Sequence, residues 1–431
     1  MELFKNIKKT IIKCEQGGLF HIFGSSVLSE IGGLISSIVV IRHLPKLLYG
    51  QYVDANNLYS YLAVFIGFGL GSAVMQYCNE PIDSNEKNAI YRFSFRAGML
   101  FNIVLGIITV FFAFLKQQAG HSDVAYYLIL MSALPLATYL TTLTQIILRV
   151  RRANKLYSAT NVILTVARVV GNILFTYLWS VTGLIFSTYA SYIVSTVGAV
   201  ACLKRDGFFT SYAVKKVDLP TKRKWEIARY AIICAVTNFT STMLSLLDIT
   251  CLGIVLSDST VLADYHVAAV IPSACMFIPA GLITYLYPHM VEKCAMGRVE
   301  AYQETKRLLR VFLIVTAIIT LCCILIGPFA IRIIYGEKYA NVIPVFRILC
   351  LNFFVFGGIR KILGNTLAAL KKVNINFIHT SLTGVLNIVL NLALIPRYGA
   401  IGAAIATVMA TTIVAVLELS YLYRYFKKSN V

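Results

Sequence analysis

The sequence predicts an all-α polytopic membrane protein: about twelve transmembrane helices in two six-helix lobes, related by a parallel internal repeat. Three observations predict it. Apolar runs of about 20 residues, the length that crosses a bilayer as a helix, recur from end to end of the 431 residues. Hydrophobic residues make up 58% of the chain and charged ones 13%, against roughly 25% charged in soluble domains. The stretch 387–407 also has an echo 219 positions earlier: Arg168, Asn172, Gly183 and Thr188 fall opposite Asn387, Asn391, Gly402 and Thr407, and Val170 opposite Val389.

Residues 1–18 carry Lys5, Lys8, Lys9 and Lys13, the pattern of an amphipathic interfacial segment on the cytoplasmic side. Six spans follow at about 19–41, 57–78, 92–115, 124–148, 157–178 and 182–203; Gly67, Gly69 and Gly71 lie in the second, and Pro135 is expected to kink the fourth. The Lys/Arg-rich stretch 204–226 is the expected linker between an N-terminal lobe, 1–203, and a C-terminal lobe, 227–431. The second half has spans at about 227–256, 265–290, 311–335, 343–370, 376–395 and 400–424. Pro272 and Pro279, seven apart on one face, should bend the eighth in one direction. Gly327-Pro328 should break the ninth near its outer end. A tight Pro396-Arg397-Tyr398-Gly399 turn separates the last two. Before it, Asn387 and Asn391 share a helix face; after it, Gly402, Ala403, Ala404 and Ala406 form a small-residue flank for close backbone approach.

The Lys/Arg distribution sets the topology. With the N-terminus inside, the inner segments and termini collect roughly 29 of the 39 basic residues and the outer connections about 5 (Arg42, Lys46, Lys116, Lys338, Arg397). That split places both termini in the cytoplasm and accounts for the formal charge of +20 without a nucleic-acid partner. No outer loop is long enough to be a folded domain, so function resides in the bundle. Ten cysteines lie scattered, mostly in apolar runs and with no C-x-x-C pair, and are expected to be free. The sequence holds no phosphate-binding G-x-x-x-x-G-K-[ST], no H-E-x-x-H and no nucleophile elbow, so neither an enzyme nor a cofactor is expected.

The informative residues are the charges inside the spans, since each costs at least ~2.5 kcal/mol to bury without a partner or a wet cavity. Glu30, near the middle of span one among Ser25, Ser26, Ser29, Ser36 and Ser37, is either a coupling-ion or proton site or the partner of a buried base. Arg168, near the midplane of span five and one turn before Asn172, either grips a phosphate or carboxylate or pairs with Glu30 or Asp248. Asp248, deep in span seven, is a binding or coupling candidate. Arg360 and Lys361 sit about ten residues from the inner end of span ten and point about 100° apart, so at most one faces a cavity while the other packs or snorkels. Arg332 and Arg347 flank outer ends, where snorkelling competes with binding, and His21 is a plain interfacial residue. Candidate substrate-site residues are thus Arg168, Arg360, Lys361, Arg347, Asn172, Asn387 and Asn391, with Glu30 and Asp248 for coupling or ion pairing. Positive charge is in excess among the intramembrane groups, and Arg grips phosphate oxygens bidentately, so the cavity suits an anionic headgroup such as a pyrophosphate.

Four stretches carry a resemblance to a known family. They are Arg42-His43-Leu44-Pro45-Lys46-Leu47-Leu48-Tyr49-Gly50-Gln51-Tyr52, which resembles a turn after span one; Leu247-Asp248 through Gly253 with Ala263-Asp264-Tyr265; Tyr285-Leu286-Tyr287-Pro288; and 387–407. With these the chain resembles the O-antigen and capsule repeat-unit flippases, the polysaccharide-biosynthesis branch of the multidrug/oligosaccharidyl-lipid/polysaccharide exporter superfamily. The resemblance implies two lobes around a cationic cavity that opens alternately to either face of a bacterial cytoplasmic membrane. It implies a cargo of undecaprenyl-pyrophosphate-linked oligosaccharide, headgroup in the cavity and prenyl tail in the lipid bilayer, with an ion gradient as a possible bias; the default is a monomer. Twelve spans rather than fourteen set the chain apart from the peptidoglycan-precursor flippases. The multidrug/cation antiporters of the same superfamily are the alternative, and the excess of intramembrane positive charge favours the anionic cargo.

Overall fold

The computed structural model describes residues 19–80, 82–209, 218–256 and 258–427. The interfacial segment expected at 1–18, with Cys14, and the central part of the linker, 210–217, lie outside the described residues, as does the side chain of His21. Among the described residues the regular structure is helical throughout. The helices are α1 (Leu19–His43), α2 (Lys46–Ala63), α3 (Leu70–Tyr77), α4 (Ser84–Gln118), α5 (Ser122–Met131), α6 (Leu134–Val150), α7 (Asn154–Arg205), α8 (Thr221–Leu256), α9 (Ser259–Cys275), α10 (Phe277–Met296), α11 (Arg298–Tyr335), α12 (Ile343–Val355), α13 (Lys361–Ala369) and α14 (Val373–Lys427). Nine helical segments among the described residues are long and apolar enough to cross a membrane. Two of the nine, within α7 and α14, each contain two spans; with α8 they account for the twelve expected.

Both long helices are hairpins. Thr160 and Ser195 in α7, joined by an Oγ-to-carbonyl bond of 3.2 Å, and Asn172 and Ser187, also bonded, pair progressively about one point. In a straight helix Asn172 and Ser187 would stand about 22 Å apart. The reversal occurs at Trp179 and Ser180 (φ 55°, ψ −134°). In α14, Asn387 Nδ2 donates to Thr407 Oγ1 at 3.0 Å across 20 residues, and the reversal is at Gly399 (φ 56°, ψ −133°). Ser180 and Gly399 are 219 positions apart and share one unusual backbone conformation. The match continues beyond the turn. A Cβ on Gly183 would meet the carbonyl oxygen of Phe175 at 1.8 Å, and one on Gly402 would meet that of Leu394 at 2.5 Å, again 219 positions on. The internal repeat is therefore structural: one close-packed hairpin, made twice.

The described residues form two compact units, one from Met1–Leu44 and Ala55–Met243, the other from Pro45–Asp54 and Leu244–Val431. The first is centred on Leu70, Val74, Ile90, Tyr139, Leu143, Ile147, Leu203 and Ile227. Within it the break between α2 and α3 is closed by Asn102, whose Oδ1 accepts from Gly67 N at 3.1 Å, and by Tyr139, whose hydroxyl donates to Ser94 O at 2.6 Å. Arg223, at the start of α8, bonds Glu86 (3.1 Å), Glu80 and Glu226 (both 3.2 Å) and lies 4.8 Å from the Tyr77 ring, tying the α3–α4 connection to α8. Burial works against its charge, but the bonds to Glu226, Glu80 and Glu86 outweigh it and hold the guanidinium above its ordinary value.

In the second unit Pro45–Asp54 is held by α9. Lys46 Nζ bonds Asp264 Oδ1 at 2.7 Å, Asn341 Nδ2 donates to Asp264 Oδ2 at 2.9 Å, and Tyr49 Oη lies 3.0 Å from His266 Nδ1. Gly50 faces the backbone of Ser259 so closely that a Cβ would fall 1.8 Å from its carbonyl oxygen. Lipid-sized apolar side chains lie exposed along α11, among them Leu325, Ile326, Phe329 and Ile333.

Two expectations need correction, and span ten carries a feature that the sequence did not signal. Lys46–Tyr52 is helical, not a turn, because Pro45 stands just outside the helix and restricts only Leu44 before it. Gly327-Pro328 does not break span nine: α11 runs through Pro328, and Gly327 instead admits the Phe346 ring, which a Cβ would meet at 2.2 Å. Span ten is not uniform, since a π-helical segment, Phe356–Arg360, separates α12 from α13. The proline expectations for spans four and eight hold: the helix breaks at Ser132–Ala133, before Pro135, and at Met276, between Pro272 and Pro279.

The reversal conformation belongs to glycine territory, the first central position of a type II′ turn. Ser180 is strained there and Gly399 is not. Ser180→Gly is expected to stabilise the detergent-solubilised protein by about 1 kcal/mol and Gly399→Ser to destabilise it by a similar amount; thermal unfolding of the two variants against the parent measures both.

Candidate functional site

The most connected polar group within the spans is Asp248, on the second part of α8. Its Oδ1 accepts from Asn387 Nδ2 at 3.0 Å and from Asn391 Nδ2 at 2.9 Å; its Oδ2 accepts from the hydroxyls of Tyr265 and Thr407. Asn391 Nδ2 also donates to Asn387 Oδ1 at 2.9 Å. The helical spacing of four that puts both asparagines on one face is what lets them share a carboxylate oxygen, and the reversal at Gly399 brings Thr407 back to the other. Four neutral donors thus satisfy a carboxylate inside the hydrophobic layer, and among the described residues no cation pairs with it. Asn391 is fully buried, and its Oδ1 has no hydrogen-bond partner.

The matching place in the first unit is neutral. Asn172 Nδ2 donates to Ser36 Oγ at 2.6 Å, and the Ser187 hydroxyl donates to Asn172 Oδ1. Ser36 therefore does for Asn172 what Asp248 does for Asn391. Arg168, one turn earlier, is half-buried. Its guanidinium lies 5.1 Å from the Tyr192 ring, its Nε is buried without a hydrogen-bond partner, and no carboxylate among the described residues pairs with it. It stands eleven residues before Trp179, about 16 Å along the helix and close to half of a ~30 Å hydrocarbon layer. Glu30 lies on an exposed face of α1 and makes no ion pair among the described residues; Ser29, beside it, instead bonds Thr165 Oγ1 at 2.7 Å and Asn161 Nδ2 at 3.2 Å.

The remaining candidates fall in the second unit. Arg360 Nη2 bonds Glu418 Oε1 at 3.1 Å, and both side chains are buried. Lys361, next to it, is half-buried and has no such partner, in keeping with the 100° between adjacent helical residues. Arg347 is exposed near the N-terminal end of α12. Two residues in these clusters, and one grouping of three cysteines, escaped the reading of the sequence. Tyr265 is one polar tip in an apolar run. Glu418, in Val414-Ala415-Val416-Leu417-Glu418-Leu419, sits close enough to the basic inner end of span twelve to pass for an interfacial residue. Cys275, Cys323 and Cys350, far apart in sequence, converge, with Cys275 Sγ 3.9 Å from Cys323 Sγ and Cys350 in reach of the latter. All nine described cysteines are free, and no group of His, Cys, Asp and Glu among the described residues is arranged to hold a metal.

A family model described as polysaccharide biosynthesis protein matches residues 17–293. The chain belongs to this family. Its match takes in the first eight spans, including Arg168 and Asp248. An uncharacterised membrane protein of Methanocaldococcus jannaschii is 24% identical over 437 aligned positions, covering 95% of this chain and 84% of the relative. Among solved structures, the lipid II flippase MurJ in an inward closed conformation superimposes with a TM-score of 0.73 at 16% identity, covering 93% of this chain and 87% of the flippase. An inward-facing multidrug-resistance MATE transporter of the MOP superfamily gives 0.71 at 11% identity, covering 93% and 95%. A MOP superfamily transporter from Pyrococcus furiosus, described as having a binding pocket of reverse polarity, gives 0.58 at 11% identity, covering 95% and 94%. The family member described here thus has the fold of the MATE transporters and of MurJ, and is a multi-pass membrane protein.

The cluster around Asp248 fixes the α14 hairpin to α8 and α9. Asp248→Ala removes the acceptor shared by two amides and two hydroxyls, leaving the amides only Thr407 Oγ1 and Asn387 Oδ1, and is expected to lower stability by about 3 kcal/mol, whereas Asp248→Asn, which keeps an acceptor oxygen, costs less. Thermal unfolding of the purified variants in one detergent separates the two.

Proposed function

We propose that this protein is a flippase that moves undecaprenyl-pyrophosphate-linked oligosaccharide units across a bacterial cytoplasmic membrane by alternating access, for O-antigen or capsule synthesis. In this reading it works as a monomer with both termini in the cytoplasm. The observation that carries it is Arg168: a cation near the midplane whose described surroundings supply an aromatic ring and no carboxylate. A membrane-embedded arginine without a counter-ion is stabilised when an anion arrives, and a pyrophosphate is an anion that a guanidinium grips by two oxygens. Membership of a polysaccharide-biosynthesis family and a fold shared with a lipid II flippase support the same cargo class. Lys361 and Arg347 are further cations for the headgroup, while Asn172, Asn387 and Asn391, buried in the hairpins, hold the polar scaffold beside them.

Asp248 is the coupling residue in this reading. It is an acid on α8 held by the polar side chains of the α14 hairpin. Its ligands would serve a monovalent cation once the amides of Asn387 and Asn391 turn their oxygens inward, a rotation that exchanges chemically similar ends. The antiporter alternative makes the acids the binding charges. It is less well supported, because Asp248 is already saturated by four donors while Arg168 has no acid to meet. Glu30, exposed on α1, is the residue that alternative would rest on.

In a host lacking the gene, complementation with Arg168→Gln is expected to leave surface polysaccharide reduced about tenfold or more, equivalent to ~1.4 kcal/mol or more of lost binding, with lipid-linked units accumulating on the cytoplasmic leaflet. Arg168→Lys should restore part of it. Full complementation by Arg168→Gln, or intact glycan with raised sensitivity to cationic drugs on deletion, would overturn the proposal. In proteoliposomes Asp248→Asn is expected to make transport indifferent to an imposed proton or sodium gradient while the parent responds.

A further inference from the structure

The pair between Arg360 and Glu418 has three features that a merely structural ion pair would not need. First, it is buried yet incomplete. The two side chains are 9% and 1% exposed and share one bond of 3.1 Å, while Arg360 Nε, Glu418 Oε2 and, on the first half of α14, His379 Nδ1 are all buried with no hydrogen-bond partner. Second, Arg360 sits at the end of the π-helical segment Phe356–Arg360, a backbone register often found at functional sites. Gly357 in that segment faces Met276 and Pro279, at the break between α9 and α10, with only 3.3 Å left for a Cβ. Third, the guanidinium has a second perch, since it lies 5.9 Å from the ring of Phe356, a residue exposed on the outside of the segment.

We propose that Glu418 is a proton site that controls whether the charge of Arg360 is available to an anionic ligand. The proposal rests on the reading of the cargo as a pyrophosphate. With Glu418 ionised, the pair is neutral and Arg360 is occupied. A proton from hydronium in the solvent adds to the carboxylate of Glu418 at its free oxygen Oε2: one O–H bond of hydronium breaks, releasing water, and one O–H bond forms. The guanidinium then donates to a neutral acid instead of a carboxylate, a weaker contact, and the pair changes from net zero to net +1. Arg360 then holds a full unbalanced charge in a buried setting, where an arriving phosphate replaces the lost partner. Arg360, from the π segment, and His379 are the charged or titratable groups that act on Glu418. His379 packs edge-on against Tyr421, one turn beyond Glu418, with ring centroids 6.2 Å apart. It offers Nδ1 as a way station for the proton. Because linkage is reciprocal, a ligand that binds Arg360 better when Glu418 is protonated must draw a proton onto Glu418 by the same factor.

The test uses the full chain in nanodiscs and farnesyl pyrophosphate as the probe, with infrared difference spectra and binding isotherms at pH ~5.5 and ~7.5. The parent is expected to show a protonated carboxylic acid band at the lower pH and to bind the probe about tenfold more tightly there. Glu418→Gln should lack that band and bind with one affinity at both pH values, near the parent's tighter one. A band that persists in Glu418→Gln, or a parent with no such band, overturns the proton site; the second result needs no variant to fold. Binding by Glu418→Gln that keeps the parent's pH dependence overturns the control of Arg360. If the band belongs to Glu418 but neither chain binds the probe at either pH, the proton site stands and the anionic-cargo reading falls.

Discussion

A peptide group in hydrocarbon has no water to bond, so a reversal that sacrifices almost no helix lets both arms keep their hydrogen bonds up to the turn. The hairpins at Ser180 and Gly399 are reversals of this kind, with one left-handed residue each and helix on both sides. So sharp a reversal presses two backbones together, and the small residues Gly183 and Gly402 give them room. Polar side chains then hold the arms: Asn172 with Ser187 in one unit, Asn387 with Thr407 in the other. The most polar positions in the bundle are therefore where they are because the turn geometry puts them face to face.

A repeated scaffold with unequal chemistry follows from this. The hairpin of the first unit carries an arginine without a counter-ion beside a neutral Asn–Ser pair; that of the second carries two asparagines that bond a carboxylate on α8. The residue opposite Arg168 in the repeat is Asn387, which binds the acid that the first unit lacks. Among the described residues the basic group of one unit and the acidic group of the other are thus met by neutral partners rather than by each other.

Much of this was legible in the sequence, and what was not has identifiable physical causes. Hydropathy gave the spans because a bilayer imposes one length on every helix. The face shared by Asn387 and Asn391 followed from helical geometry, and the kinks at Pro135, Pro272 and Pro279 from the missing N–H. Gly327-Pro328 misled because a proline near a helix end, beside a glycine that seats Phe346, bends the helix less than the neighbouring packing straightens it. Glu418 and Tyr265 were passed over because a single polar atom in an apolar run has no pattern; its meaning lies in Arg360 and Asp248, 58 and 17 positions away. The π segment before Arg360 leaves no compositional mark beyond Gly357-Gly358. The convergence of Cys275, Cys323 and Cys350 is tertiary in origin and invisible to spacing.

The stretches that carry the family resemblance also explain why family is easier to infer than cargo. Lys46, Tyr49 and Gly50 lie in one of them; Asp264 lies in the next, and His266 just past it. In the structure these residues are each other's partners, through an ion pair, a hydroxyl–imidazole contact and a backbone approach that tolerates no side chain. Each tie is partly or wholly buried, and the loss of either partner would strand a polar group in an apolar setting. Their chemistry is therefore fixed by the architecture of this chain. Arg168, Lys361 and Glu30, by contrast, make no ion pair among the described residues, and in the proposed reading Arg168 and Lys361 answer to the cargo. A sequence thus announces its fold through residues that answer to one another, and hides its substrate in those that answer to something outside the chain.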